Sequence, residues 1–224
     1  MNILLVLATS AEADIIKTIP GIRQERGGVF IRGKHNISVL VTGVGGISTA
    51  WSMKQWLSMN LRPELAINAG IAGSFKEKFA RGDVVIPVSD CFADLGIEID
   101  GKYQTLAEAG LADQNETPFE NGFLVMRNDF YKNISSIIPS VRAVTVNTAT
   151  GSPASIERLI KKFNPDIETM EGATFFYICS REKIPFLALR AISNYVEPGK
   201  RSIWEITLAL KNLAGKLDEI LNIL

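Results

Sequence analysis

The chain has 224 residues, 46% of them hydrophobic and 21% charged, with 24 Lys and Arg against 24 Asp and Glu. This is a globular composition with enough apolar material for a sizeable core, and the length favours one domain spanning residues 1–224. Zero formal charge without a basic stripe argues against a nucleic-acid partner, leaving a small molecule or another protein.

The chain opens on a continuous apolar run, residues 2–8, which reads as a buried strand. The run is too short to span a membrane, lacks a basic leader and leads into Glu12 and Asp14, so a cytoplasmic location without membrane contact is expected. A helix follows over about 10–19, ending before Pro20-Gly21. Residues 27–32 and 37–42 read as a hairpin turning around Lys34–Asn36. His35, the one histidine, is expected as a partly exposed residue near that turn. A helix over 46–59 places Ala50, Met53, Trp56 and Leu57 on one buried face. Leu65–Ala69 reads as a strand, running into a small-residue loop over 68–74.

Asp83–Val88 begins another strand region, and 93–121, rich in Gly, Asp, Glu and Asn, reads as an irregular excursion. Strands near 122–126 and 141–146, a helix at 153–163, a strand at 166–170 and a helix at 172–182 follow. A strand at 185–191 and a helix over 202–222 complete an α/β alternation with a largely parallel sheet. Cys91 and Cys179 make neither a disulfide framework nor a zinc spacing, and a lone histidine excludes a multi-histidine metal centre. No metal and no cofactor are expected.

Ligands of open α/β folds gather beyond the carboxyl ends of parallel strands. Several strand ends carry small or polar residues there: Ala8–Glu12, Thr42–Gly46, Asn68–Ser74, Thr169–Gly172 and Ser193-Asn194. The loop Gly43-Val44-Gly45-Gly46 is not a dinucleotide fingerprint, because Ser48 stands where a third glycine is required. It reads as a tight turn offering backbone N–H groups to a sugar or anion at a helix N-terminus.

The segments ATSAEAD, TGVGG, INAGIAGSF, GDVVIP, ETMEGATFFYIC and LRAISN, in that order, resemble the purine nucleoside phosphorylase and nucleosidase superfamily. The nearest branch is that of the methylthioadenosine/S-adenosylhomocysteine nucleosidases and their futalosine-hydrolysing relatives, with the likeness weakest over about 93–140. The resemblance implies a three-layer αβα fold with a mixed, partly barrel-like central sheet, and a dimer or larger homo-oligomer. It places Glu12 at the position of the general base that activates water. Thr9-Ser-Ala-Glu12 also fits a capping box, so the residues alone leave a structural role open.

Glu171 matches the carboxylate that accepts both ribose hydroxyls, with Met170 against the sugar face; the alternative is an acid favoured by a helix N-terminus. Asn194 stands where the adenine-specific enzymes have aspartate. An amide can accept from a protonated N7 and donate to an oxygen at C6, which reads a 6-oxopurine; a turn-forming Asn before Pro198-Gly199 is the alternative. Gly73, Ile71, Thr148 and Ala149 are the expected wall residues. Ile71 replaces a small polar residue, and Thr148-Ala149 replaces a Phe-Ile pair that flanks the base.

The first strand-to-helix loop has no arginine for phosphate, so water is the expected nucleophile. The resemblance thus implies hydrolysis of a 6-oxopurine nucleoside, futalosine to hypoxanthine in menaquinone synthesis. Lys200 and Arg201 are candidates for a carboxylate on the 5′ extension. The alternatives are a methylthioadenosine/S-adenosylhomocysteine or inosine nucleosidase, a phosphorylase, a silent nucleoside-binding module, and a plain interaction domain.

Overall fold

The computed structural model describes residues 1–25, 28–75, 78–199 and 204–224. Gly27 of the expected hairpin, Lys200, Arg201 and the expected start of the last helix at 202–203 lie outside them.

The first strand, β1 (Asn2–Leu7), is buried from Ile3 onward. It lies parallel between β4 (His35–Val41) and β5 (Leu65–Ser74), covered on both edges and both faces, which is why it reads as an unbroken apolar run. After it come α1 (Ser10–Ala13), a 3-10 turn over Asp14–Thr18, and the short β2 (Arg23–Gln24). β3 (Val29–Arg32) pairs antiparallel with β4 across the two-residue turn Gly33-Lys34.

His35 departs from the expectation. It is 2% exposed, because it is the first residue of β4 and the C-terminal helix packs over it near Leu221. Burial, aided by the N-terminal ammonium, pulls its pKa below the ordinary histidine value.

Helix α2 (Gly46–Met59) has the predicted bounds. Met53 is buried and Ala50, Trp56 and Leu57 pack partly buried on the core, while Ile47 and Trp51 face outward at 86% and 72% exposure. β5 is longer than expected, since the predicted loop over 68–74 continues the strand. Its backbone is fully engaged there, pairing with β12 (Phe186–Tyr195) along its length and with β11 (Ile167–Thr169) at Gly73 and Ser74. Small residues in this stretch allow close approach from both sides rather than marking a turn.

β6 (Val84–Asp90) follows. The expected excursion contains one regular piece, the hairpin β7 (Gly96–Ile99) and β8 (Lys102–Thr105). Then come β9 (Leu124–Val125), α3 (Asp129–Ile134), β10 (Ser140–Thr145), α4 (Pro153–Phe163), α5 (Gly172–Arg181) and α6 (Ile206–Ile223). α4 begins where its signals place it: Ser152 accepts from Ser155 N–H and Pro153 opens the helix.

The sheet closes on itself. β5 pairs with β12, β12 with β6, β6 with β10, β10 with β11, and β11 returns antiparallel to β5. β1, β4, β3 and β2 extend from the other edge of β5 as an open wing. With α2 packed on α5 and α6 against β5 and β12, this is the three-layer αβα arrangement with a mixed, partly barrel-like sheet. Among the described residues no helix is long and apolar enough to cross a membrane. Cys91 and Cys179 are both buried and unpaired with each other.

Candidate active site

Where the closed part of the sheet meets the wing, a cavity of about 320 Å³ opens. That is ample for a small metabolite. It is lined from the carboxyl end of β1 (Ala8, Thr9, Glu12), from β5 (Ile71, Gly73), from the β11–α5 junction (Met170, Glu171), and from β12 (Ser193, Asn194). Ala149 also lines it, whereas Thr148 is exposed and outside the lining.

Glu12 both closes a capping box and faces the cavity. Thr9 is the N-cap of α1: its Oγ1 accepts from Glu12 N–H at 3.2 Å, and Glu12 Oε2 accepts from Thr9 N–H and Oγ1–H at 2.9 Å each. The reciprocal pair is a capping box. It also holds the carboxylate, 7% exposed, against the cavity. Oε1 takes a third hydrogen bond from Ile71 N–H at 3.2 Å. A carboxylate has about four acceptor positions, so three fixed donors orient it and leave room for one more partner, such as water.

Glu171 sits at the start of α5. The tight turn after β4 delivers its binding group: Gly45, at φ 91°, a backbone conformation that favours glycine, donates its N–H to Glu171 Oε1 at 2.8 Å. The predicted backbone donor at this turn therefore meets an anion of the protein itself. Burial pushes the Glu171 carboxyl above its usual range, the Gly45 N–H and the Arg190 guanidinium pull it back, and Glu12 adds repulsion.

Arg190 was visible in the sequence only as part of a motif, and the structure gives it a place. Its fully buried guanidinium donates from Nη1 to the carbonyls of Asn68 and Leu189 and from Nη2 to Asn68 Oδ1. Asn68 Nδ2 in turn donates to Val6 O at 3.0 Å, tying three neighbouring strands together. A methyl group added at Gly70 would stand 2.9 Å from Glu12 Oε1 and 4.0 Å from Arg190 Nη1, so the carboxylate and the cation flank one glycine. Beyond Arg190, Asp90 is fully buried, with Oδ1 accepting from Cys91 N–H and Thr145 Oγ1–H. Burial pushes its pKa up to about 7.

Asn194 lies at the other end of the cavity wall. Its Oδ1 accepts from Ser193 Oγ–H at 2.8 Å and its Nδ2 donates to Tyr195 O at 3.1 Å, which fixes the amide orientation. One N–H and one acceptor position remain for a ligand. Four lining residues were missed from the sequence: Glu168, the middle residue of β11, Trp204, an aromatic wall residue ahead of α6, and Ile206 and Leu210 of α6. A carboxylate inside a three-residue strand was the available signal for Glu168. Trp204 carried none, since it lies outside every segment of the resemblance.

The cavity brings together Glu12, Glu171, Asn194, Gly73, Ile71, Met170 and Ala149. A fixed carboxylate, a second acid backed by a buried guanidinium, and an oriented amide can activate water, grip a diol and hydrogen-bond a heterocycle.

The chain is similar to known proteins over its whole length. The futalosine hydrolase of Streptomyces coelicolor is 28% identical over 246 aligned positions, covering 99% of this chain and 97% of that one. The 5′-methylthioadenosine/S-adenosylhomocysteine nucleosidase of Listeria welshimeri is 25% identical, covering 99% of both. The solved futalosine hydrolase of Helicobacter pylori superimposes with a TM-score of 0.82 at 16% identity, covering 100% of this chain and 98% of that one. The family model described as the phosphorylase superfamily matches residues 2–223, and the chain belongs to that superfamily.

Proposed function

We propose that this chain, acting as one domain, hydrolyses the N-ribosidic bond of a 6-oxopurine nucleoside. Futalosine is the substrate that fits best, giving hypoxanthine and the dehypoxanthine product in a cytoplasmic step of menaquinone synthesis. The observation that carries this reading is that Glu12, Glu171 and Asn194, 182 positions apart at the extremes, line one cavity. The full-length similarity to a futalosine hydrolase supports the substrate.

In this reading Glu171 accepts the ribose hydroxyls, with Met170 beside the sugar. As the C1′–N9 bond breaks, its electron pair passes to the purine, which takes up a proton at N7 from solvent. Asn194 Oδ1 accepts that N7–H, and its free N–H donates to O6. Water held by Glu12 adds its oxygen to C1′ and gives its proton to the carboxylate. Only weak nucleophilic push is needed at an electron-poor anomeric carbon, and general-base catalysis of this kind supplies about 10²–10⁴-fold.

A homo-oligomer belongs to the same proposal. Val44, on the cavity rim, is 53% exposed and continues into the exposed Ile47 and Trp51 of α2, an apolar surface beside the site. Light scattering that returns a monomer removes that part.

The test incubates the protein with futalosine, inosine and methylthioadenosine, with and without phosphate, and identifies the base and the sugar product. Hypoxanthine with a free sugar, independent of phosphate, is expected. Adenine without hypoxanthine refutes the base assignment, and a sugar phosphate refutes hydrolysis.

A further inference from the structure

Glu168 is 6% exposed, yet only half of its carboxylate is used. Oε1 accepts from Thr150 N–H at 2.9 Å, while Oε2 is buried without a hydrogen-bond partner. Buried acceptors are nearly always paired, and an unpaired one is costly, so this oxygen needs an account. Glu168 lines the same cavity as Asn194.

The sheet register places the two together. Gly73 on β5 is paired with Glu168 of β11 on one side and with Asn194 of β12 on the other. Cross-strand partners share a face of the sheet, and the residue between them has no side chain. A methyl group added there would stand 2.9 Å from Val196 Cγ2, 3.1 Å from Asn194 Nδ2 and 3.6 Å from Glu168 Cγ. An amide and a carboxylate-bearing side chain thus stand on either side of one glycine at the cavity wall, with the Val196 side chain packed over it.

We propose that Glu168 is a specificity-determining residue, its unpaired oxygen accepting the N1–H of a 6-oxopurine whose N7 and O6 are held by Asn194. This rests on the base class proposed above. N7, O6 and N1 follow one another along a single edge of the purine, so an amide and an acceptor flanking one glycine can read that edge together. Adenine has a lone pair rather than a hydrogen at N1 and would meet the carboxylate oxygen acceptor to acceptor. Burial raises the Glu168 carboxyl above its usual range, the Thr150 side chain and N–H pull it back, and a bound N1–H favours the ionised form further.

Glu168→Gln is the informative variant. Its one oxygen is required by Thr150 N–H, which leaves the amide NH₂ at the unpaired position, donor against donor for N1–H. Calorimetric binding of hypoxanthine, adenine and 1-methylhypoxanthine is compared in wild type and E168Q. Wild type should bind hypoxanthine more tightly than 1-methylhypoxanthine. E168Q should lose about 10- to 100-fold for hypoxanthine, keep its affinity for 1-methylhypoxanthine, and gain for adenine relative to hypoxanthine. Equal binding of hypoxanthine and its 1-methyl form by wild type overturns the proposal even if the variant does not fold. A uniform loss for all three bases in E168Q assigns Glu168 to loop support alone and also overturns it. If hypoxanthine binds wild type and E168Q equally, Glu168 is idle while the 6-oxopurine reading stands. If wild type prefers adenine, both fall.

Discussion

Glu12 caps a helix and faces the cavity, and Glu12→Gln separates those two roles. Glutamine keeps the length and one oxygen, but three donors converge on the native carboxylate: Thr9 N–H and Oγ1–H on Oε2, and Ile71 N–H on Oε1. The amide oxygen is best placed at the Oε2 position, where it retains two hydrogen bonds and most of the capping box. The NH₂ then opposes Ile71 N–H, leaving one buried donor unsatisfied at a cost of about 1–3 kcal/mol. Activity should fall further, by about 10²–10⁴-fold in kcat, because an amide cannot take the proton from water. Thr9→Ala is the complement: it removes the N-cap side chain, at about 0.5–2 kcal/mol, but leaves a carboxylate in the cavity. Urea unfolding and steady-state release of hypoxanthine from futalosine read the two effects separately. The expected pattern is comparable destabilisation with a large rate loss in Glu12→Gln alone. Equal rates in the two variants at matched stability would refute a catalytic role for Glu12 and leave only the cap.

Asn194→Asp should shift turnover from hypoxanthine-bearing toward adenine-bearing nucleosides, because the acid can donate at N7 and accept from the exocyclic amine. An unchanged ratio of kcat/KM for inosine over adenosine would refute the assignment. Gly172→Ala should destabilise by about 1–3 kcal/mol or more and weaken substrate binding through Glu171. Its new methyl would stand 2.1 Å from Asp90 Oδ2 and 2.7 Å from Thr169 Oγ1, and a variant that melts like wild type would contradict that packing. Asp90 titrates near 7 when folded and near 4 when unfolded, so the folded state holds its proton more tightly. Its contribution to stability is therefore greatest in acid and declines as pH rises from about 4 to about 7. Asp90→Asn should flatten that part of the stability profile in urea titrations, and parallel profiles would show that Asp90 does not titrate there.

What the sequence made legible follows its local signals. α2 and α4 have the predicted bounds because a glycine turn, a Ser-Pro start and helical apolar spacing are contained within each segment. The stretch Asn68–Ser74 misled because small residues suit both a loop and a strand crowded from both sides; only the pairing with β11 and β12 decides between them. His35 misled for a related reason, since a hairpin turn suggests exposure and the helix that covers it lies far along the chain. Glu12, Glu171 and Asn194 were found through motifs at strand ends. Glu168 opens the segment ETMEGATFFYIC but was not read as a wall residue, because its place beside Asn194 across Gly73 is fixed by the return of β11 to β5, a closure that no local pattern encodes.

That closure also bears on the electrostatics of the proposed cleavage. Arg190 is the buried cation among Glu12, Glu171 and Asp90, and burial pulls its pKa down while those three acids support its charge. One guanidinium against three carboxyls leaves an excess of negative charge on this side of the cavity, even with Asp90 partly protonated near neutrality. A sugar that surrenders its base becomes electron-poor at C1′, and fixed negative groups aimed at that position stabilise it more than they stabilise the neutral nucleoside. Removing Arg190 would not simply add to that advantage. Without that counter-charge the Glu171 carboxyl, already raised by burial and by the charge of Glu12, would be pushed further up and held neutral, which weakens it for the proposed acceptance of two hydroxyls. In the proposed cleavage the buried arginine therefore acts through its charge, offsetting the repulsion of Glu12 on Glu171 from a position fixed by Asn68 and the Leu189 carbonyl.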